Sequence, residues 1–283
     1  DFGVEEKGSL RAGLLLGQAC MGGLGELSIG ACDQAVYGVS NAVFVRTDTP
    51  LISCLGCQYA GWPVQADDYF AMGSGPMRLL RGREPVLEKL GLSDAKTSLA
   101  CGILASDQLP TPAVIETIAK ECSVSPDEVV LGVAPSTSIA GTIQVVARSV
   151  ETAMHKLDDL EFDVRNVVSA TGFAPLPPPA KPGDTIDGIG RTNDAMLYGA
   201  NVTLWVDCED EAIETVSEKV PSSSSKDHGR PFKQIFADYN HDFYQVDPSL
   251  FSPAVVTIHN LRTGRTFSSG RIVTDVLRES FRT

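Results

Sequence analysis

Four polar residues between Ser138 and Leu157 are spaced for chemistry. On a helix turning about 100° per residue, Gln144, Arg148, Glu151 and His155 fall within about 60° of one another. Ile139, Ile143, Val146, Val150, Met154 and Leu157 take the other side. A carboxylate one turn from a guanidinium can activate water: the carboxylate takes the proton, and the guanidinium holds it and favours its ionised form. The default reading of such a stripe is a solvated face, where an Arg/Glu pair is worth about a few tenths of a kcal/mol.

The elements around the stripe follow from capping and periodicity. Ser136, Thr137 and Ser138 supply hydroxyls suited to capping a helix that starts there. Ala42 to Arg46, Glu128 to Ala134, Asn166 to Ala170 and Val202 to Val206 read as strands. Thr111 to Cys122 reads as a helix opened by Pro112 and followed by a turn at Ser125-Pro126-Asp127. Glu211 to Val220 reads as another helix. Ala254 to His259, a turn at Thr263-Gly264-Arg265, and Thr266 to Val273 read as a C-terminal hairpin. The expected class is α/β (α+β), with mixed sheets and helices.

Three further segments could touch a ligand. Gly73, Ser74 and Gly75 form a tight turn before the helical Met77-Arg78-Leu79-Leu80. The turn matches neither the P-loop nor a dinucleotide fingerprint, so a plain turn is the default. Met21-Gly22-Gly23-Leu24-Gly25 implies close packing of backbone against a strand or a ligand. Asn193 and Asp194, in Arg191-Thr192-Asn193-Asp194, could read a heterocycle edge with paired donors and acceptors, or equally cap a helix. The Pro-rich run Gly172 to Gly183 is expected to be a semi-rigid surface connection. Phe232, Phe236, Tyr239, Phe243, Tyr244 and Phe251 are expected to pack in a core.

The 283 residues are 43% hydrophobic, enough for one large domain or two intimate ones. A net charge of −13 argues against nucleic acid or an anionic membrane surface as main partner, and suits a cationic reacting centre. No run approaches the about 18 apolar residues of a transmembrane helix. Seven cysteines, an odd number at irregular spacing, fit a reducing compartment and a cytoplasmic protein. Cys54-Leu55-Gly56-Cys57 is a single C-x-x-C with no second ligand pair, so free thiols are favoured over zinc or redox chemistry. There is no G-x-S-x-G, H-E-x-x-H, kinase or Walker motif.

Several blocks, in order and covering nearly the whole chain, resemble the methenyltetrahydromethanopterin cyclohydrolase family. They are Gln18 to Leu24, Tyr69 to Pro76, Ala134 to Gly141, Thr192-Asn193-Asp194, Asp227 to Phe232, Asp242 to Pro248 and Leu250 to Ala254. The family is known from methanogenic and sulfate-reducing archaea and from bacteria that oxidise C1 units. The resemblance implies two intertwined domains with a cleft between them, with lobes near 1–130 and 131–283. It also implies a cytosolic homotrimer with no metal or redox cofactor, the tetrahydromethanopterin C1 carrier being substrate. Set beside the family pattern, the chain is expected to begin inside the usual N-terminal region, and the stretch after Phe173 is a variable part of the pattern.

The implied reaction is reversible hydrolysis of 5,10-methenyltetrahydromethanopterin to its 5-formyl form. The family's catalytic pair matches Arg148 and Glu151, with Glu151 as general base and then acid. Gln144, Gly73, Ser74, Gly75, Ser136, Thr137, Ser138, Asn193 and Asp194 are candidate substrate-binding residues, with no metal ligands. His155 has no matching role and is expected to be structural. The competing classes are a pterin-binding protein without turnover, a formyl-transfer enzyme with a second substrate, and a thiol or zinc module built on Cys54 and Cys57.

Overall fold

The computed structural model is described for residues 1–92 and 97–282. Ten strands among them form two sheets: β1 Glu26–Ala31, β2 Asn41–Thr47, β3 Trp62–Ala66, β4 Tyr69–Ser74, β5 Ala100–Ala105, β6 Val129–Ala134, β7 Val167–Pro175, β8 Asn201–Val206, β9 Val255–Asn260 and β10 Thr266–Gly270. The larger sheet has the order β1-β2-β7-β8-β9-β10, and the smaller β3-β4-β5-β6. Both are mixed. β5 pairs parallel with β6, β8 pairs parallel with β9, and the other neighbours are antiparallel.

The helices are α1 Leu10–Cys20, α2 Gln34–Tyr37, α3 Met77–Arg81, α4 Pro85–Leu90, α5 Pro112–Cys122, α6 Ile139–Val146, α7 Ser149–Asp159, α8 Thr185–Gly199, α9 Asp210–Val216, α10 Phe232–Asp238 and α11 Thr274–Phe281. The α/β class expected from the sequence is the class observed. The helix α5 begins at Pro112 behind the Thr111 cap, as its proline and hydroxyl imply.

Several expectations need correcting. The Pro-rich run is not all connection: Gly172 to Pro175 complete β7 and pair with β2 and β8, with Ala42 opposite Pro175. Arg191 to Asp194 lie inside α8, so Asn193 and Asp194 do not cap it. The larger sheet draws on both ends of the chain: β1 and β2 join the later strands β7–β10. The chain therefore passes from the larger sheet to the smaller between β2 and β3, and returns between β6 and β7.

Both crossings are helical. The first contains Leu51–Gln58, a π-helical segment in which the Tyr59 amide donates to the Cys54 carbonyl at 2.8 Å. The second consists of α6 and α7. Ile143, Val146, Val150, Met154 and Leu157 are all fully buried in the core on the larger sheet's side, while Ile139 of the expected apolar face is 39% exposed. Burying each such side chain contributes about 1.5–3 kcal/mol. That anchorage outweighs the cost of interrupting the helix between them.

Where α1 crosses α6, Gly13 lets the two approach closely: a Cβ there would stand 2.8 Å from Ile143 Cβ. Tight packing of this kind brings Cys20, the last residue of α1, towards the break between α6 and α7.

Candidate active site

The expected single helix from Ser138 to Leu157 is interrupted. Ala147 (φ −68°, ψ −3°) and Arg148 (φ −87°, ψ 10°) leave helical ψ values and separate α6 from α7. A helix end frees backbone groups that must be satisfied. Here the Gln58 side chain does this, its Nε2 donating to the Ala147 carbonyl at 3.2 Å. Gln58 is the last residue of the π-helical crossing, so each crossing between the sheets stabilises the other.

The interruption keeps the polar stripe on one face. Gln144, Arg148, Glu151 and His155 all line a cleft of about 530 Å³, together with Ser74, Ile103 and Ala105 from the smaller sheet. Asn193 enters from α8. Tyr59, Phe243, Tyr244 and Phe251 supply aromatic wall, which suits a flat ligand. A larger concavity of about 750 Å³ over the solvent face of the larger sheet holds the exposed pair Glu26–Arg46, Asp48 and scattered neutral groups. The smaller cleft is the chemically competent one.

Arg148 is the hub. Its Nη1 donates to the Gln58 carbonyl and lies 3.5 Å from Glu151 Oε2. Its Nη2 donates to Ser74 Oγ at 3.1 Å and Gln144 Oε1 at 3.4 Å, with Cys20 Sγ at 3.7 Å. Glu151 is only 4% exposed. A charged pair this shielded interacts far more strongly than a solvated one. The stripe is therefore a shielded cleft wall and not the solvated face that its pattern suggests by default.

Two supports carry no sequence signal. Cys20 has its thiol pushed up by burial, with Arg148 pulling the other way, and its Sγ lies 3.2 Å from Ser74 Oγ. Arg78 is fully buried, grips Glu84 through Nε at 2.9 Å, and donates through Nη1 to the carbonyls of Leu55, Gly56 and Cys57. Its guanidinium also lies 5.1 Å from the Tyr59 ring centre. Arg78 thus closes the π-helical segment and steadies the cleft wall. A buried arginine looks like any surface arginine in sequence.

Of the candidate binding residues, the cleft gathers Gln144, Ser74 and Asn193. The others lie outside its lining. Gly75 (φ 97°) makes a turn that only glycine adopts easily, and a Cβ there would meet Gly102 Cα at 3.1 Å. Gly73 packs on Met77. Ser136 faces Gly188 of α8, with Thr137 in the same turn, and Ser138 caps α6 by accepting from the Gly141 amide at 2.9 Å. Asp194 turns away from the cleft: it accepts from the Phe232 amide at 2.7 Å, and burial pushes its carboxyl up to about 7.

The aromatic series divides. Phe232 and Phe236 are core, whereas Phe243, Tyr244 and Phe251 line the cleft, and Tyr244 is 90% exposed. His155 also lines the cleft, stacked on Tyr59 with ring centres 4.5 Å apart. Cys54 and Cys57 are buried free thiols. Burial raises both, Cys57 to about 12 with Arg78 opposing, which disfavours the thiolate needed for redox work or metal binding. Among the described residues no three His, Cys, Asp or Glu side chains converge as a metal-binding group.

A two-sheet α/β protein with a shielded Arg–Glu pair in an aromatic-walled cleft has the groups that an enzyme needs for acid–base chemistry on a small flat molecule. Comparison with known proteins narrows this. The family model described as cyclohydrolase (MCH) matches residues 1–281. The methenyltetrahydromethanopterin cyclohydrolase of Rhodopirellula baltica is 62% identical over 99% of this chain and 85% of its own length. The enzymes of the same name from Methylobacillus flagellatus and Methanospirillum hungatei are 41% and 43% identical, again over 99% of this chain, and over 85% and 88% of their own lengths. The chain belongs to the methenyltetrahydromethanopterin cyclohydrolase family.

Proposed function

We propose that this chain catalyses the reversible hydrolysis of 5,10-methenyltetrahydromethanopterin to 5-formyltetrahydromethanopterin, with Glu151 and Arg148 activating the water. The observation that carries the reading is the Glu151 carboxylate, 4% exposed within the cleft and 3.5 Å from Arg148. The relatives' shared name supplies the substrate.

The methenyl carbon bridges N5 and N10 and carries the positive charge. Water adds to it, forming a C–O bond, and Glu151 takes one water proton. The adduct then opens: the C–N10 bond breaks as N10 takes the proton back from Glu151, and the hydroxyl gives its own proton to the freed carboxylate, leaving the carbon on N5 as formyl. The Glu151 carboxylate also attracts the cation. Arg148 fixes the carboxylate, itself fixed by the Gln58 carbonyl and Ser74. Gln144 and Asn193 offer amides to the pterin, and Phe243, Tyr244 and Phe251 offer apolar faces.

We further propose that the enzyme works as a cytoplasmic homotrimer, without resident metal or redox cofactor and without nucleic acid as partner. Among the described residues, no helix is long and apolar enough to cross a membrane.

The test follows the near-UV absorbance of methenyltetrahydromethanopterin with the purified protein. Decay with no second substrate supports hydrolysis; decay only with an acceptor indicates formyl transfer, and binding without decay a pterin-binding protein. Glu151→Gln should lose about 10²–10⁴-fold in kcat while still binding the pterin. Near-wild-type turnover by that variant would remove Glu151 from the mechanism.

A further inference from the structure

Hydrolysis of a cationic methenyl bridge releases one proton per turnover. Water brings two: one ends on N10, and the other must leave the cleft as the charge of the substrate is discharged. Glu151, which first receives it, is 4% exposed even with the cleft open to solvent. A pterin filling the cleft shields it further. Its own helix offers a way out. His155 lies one turn along α7 from Glu151, on the same face and in the same cleft. Its side chain is 30% exposed, and its Nδ1 lies 3.5 Å from Oδ2 of Asp159, one more turn on and 44% exposed. Burial therefore falls steadily along the row from Glu151 to Asp159.

We propose that His155 relays the released proton from Glu151 to bulk solvent, with Asp159 at the outer end. This rests on the hydrolytic reading of the site. Histidine is the side chain that readily exchanges protons near neutral pH. The step is a pure proton transfer: the Glu151 carboxyl loses a proton, through water in the cleft, to one imidazole nitrogen, and the other nitrogen gives one up towards Asp159 and solvent. In the reverse direction the same row delivers the proton.

The groups facing the imidazole suit this. Tyr59, from the π-helical crossing, stacks on the ring with planes 18° apart and fixes its orientation. Burial, then Glu151, pushes the Tyr59 hydroxyl up to about 12, so it stays protonated and does not compete for the proton. Arg78 lies behind the Tyr59 ring, and Lys156 turns its ammonium to the Ser249 carbonyl at 3.3 Å. Arg148, at the head of α7, is held by Gln58 and Ser74. Phe243 and Tyr244 close the cleft opposite with no carboxylate of their own.

His155 is on this view a positioning residue for protons, and its test must separate relay from stacking. His155→Gln and His155→Phe are assayed with methenyltetrahydromethanopterin at low buffer concentration and again with added imidazole. The Phe variant keeps an aromatic ring against Tyr59 but cannot carry a proton. Both variants are expected to show kcat reduced roughly tenfold at unchanged KM, with imidazole restoring most of the loss and leaving wild type unaffected. Full activity in the Phe variant, or a loss that imidazole does not relieve, would show that His155 only packs. If wild type itself fails to consume the methenyl compound without a second substrate, the hydrolytic reading fails, and the relay with it.

Discussion

Gln58 holds Arg148 from both directions. Its backbone carbonyl accepts from Arg148 Nη1, while its side-chain Nε2 satisfies the Ala147 carbonyl freed where α6 gives way to α7. One residue of the first crossing thus fixes both the charged group and the backbone break that aims it. Gln58 sits at the end of a π-helical segment, and such segments are frequent at functional sites because the extra residue displaces the backbone that follows.

Gln58→Leu tests this coupling. The variant keeps the volume and the backbone carbonyl but loses the amide donor. Leaving the Ala147 carbonyl unpaired costs about 1–3 kcal/mol. The native Gln58 Oε1 is itself buried without a partner, so its removal offsets part of that. A small loss of stability by chemical denaturation is therefore expected alongside a fall in kcat of at least about tenfold, from a displaced Arg148. Unchanged kcat would mean that the break holds its shape without Gln58.

Arg148→Lys is expected to be a poor replacement. The guanidinium reaches the Gln58 carbonyl, Ser74 Oγ, Gln144 Oε1 and Glu151 at once. A single ammonium cannot span that set. The expected result is a loss of about 10²-fold or more in kcat with folding intact by circular dichroism. Retention of activity would show that only the charge matters and not the fork.

What the sequence discloses and what it hides divide along physical lines. The stripe is legible because helical periodicity outlasts the interruption: two residues with altered ψ leave Gln144 and Arg148 on the same face as Glu151 and His155. The interruption itself is not legible, because neither glycine nor proline marks Ala147-Arg148, and its stabilising partner is about 90 residues away. Asn193 and Asp194 carry equally suitable hydrogen-bonding groups, so their types do not separate them. Inside α8 the two point in directions about 100° apart, and only one faces the cleft. Phe243 and Tyr244 read as core because aromatic residues usually are. The short 3₁₀ turn Phe243–Gln245 carries them to the cleft instead.

Arg78→Met should destabilise the protein by about 3–5 kcal/mol, since it leaves the Glu84 carboxylate, 5% exposed, without its partner. The Cys57 carbonyl keeps the Gly75 amide at 2.7 Å, but the carbonyls of Leu55 and Gly56 lose the Arg78 donor. Adding Glu84→Leu should recover part of the stability but not the activity, because those carbonyls still lack a donor and Tyr59 its support. Urea unfolding of the two variants measures the first effect. Full recovery of kcat in the double variant would separate Arg78 from the cleft.

Asp194 gives a prediction in pH. Burial raises its carboxyl from 3.8 to about 7 in the folded chain, opposed by hydrogen bonds from Ser280 and the Phe232 amide. Between those values the folded state holds a proton that the unfolded state has released. Stability contributed by this group is therefore full below about pH 4, declines as pH rises, and is lost above about pH 7. Asp194→Asn keeps an oxygen to accept from Phe232 and never ionises. The variant should match wild type near pH 4 and exceed it by up to a few kcal/mol at pH 8. Taking the difference between the two proteins cancels every other titrating group. Denaturant midpoints measured at half-unit steps from pH 4 to 8 give the curve directly, and a difference that stays flat across that range would place the Asp194 ionisation outside it.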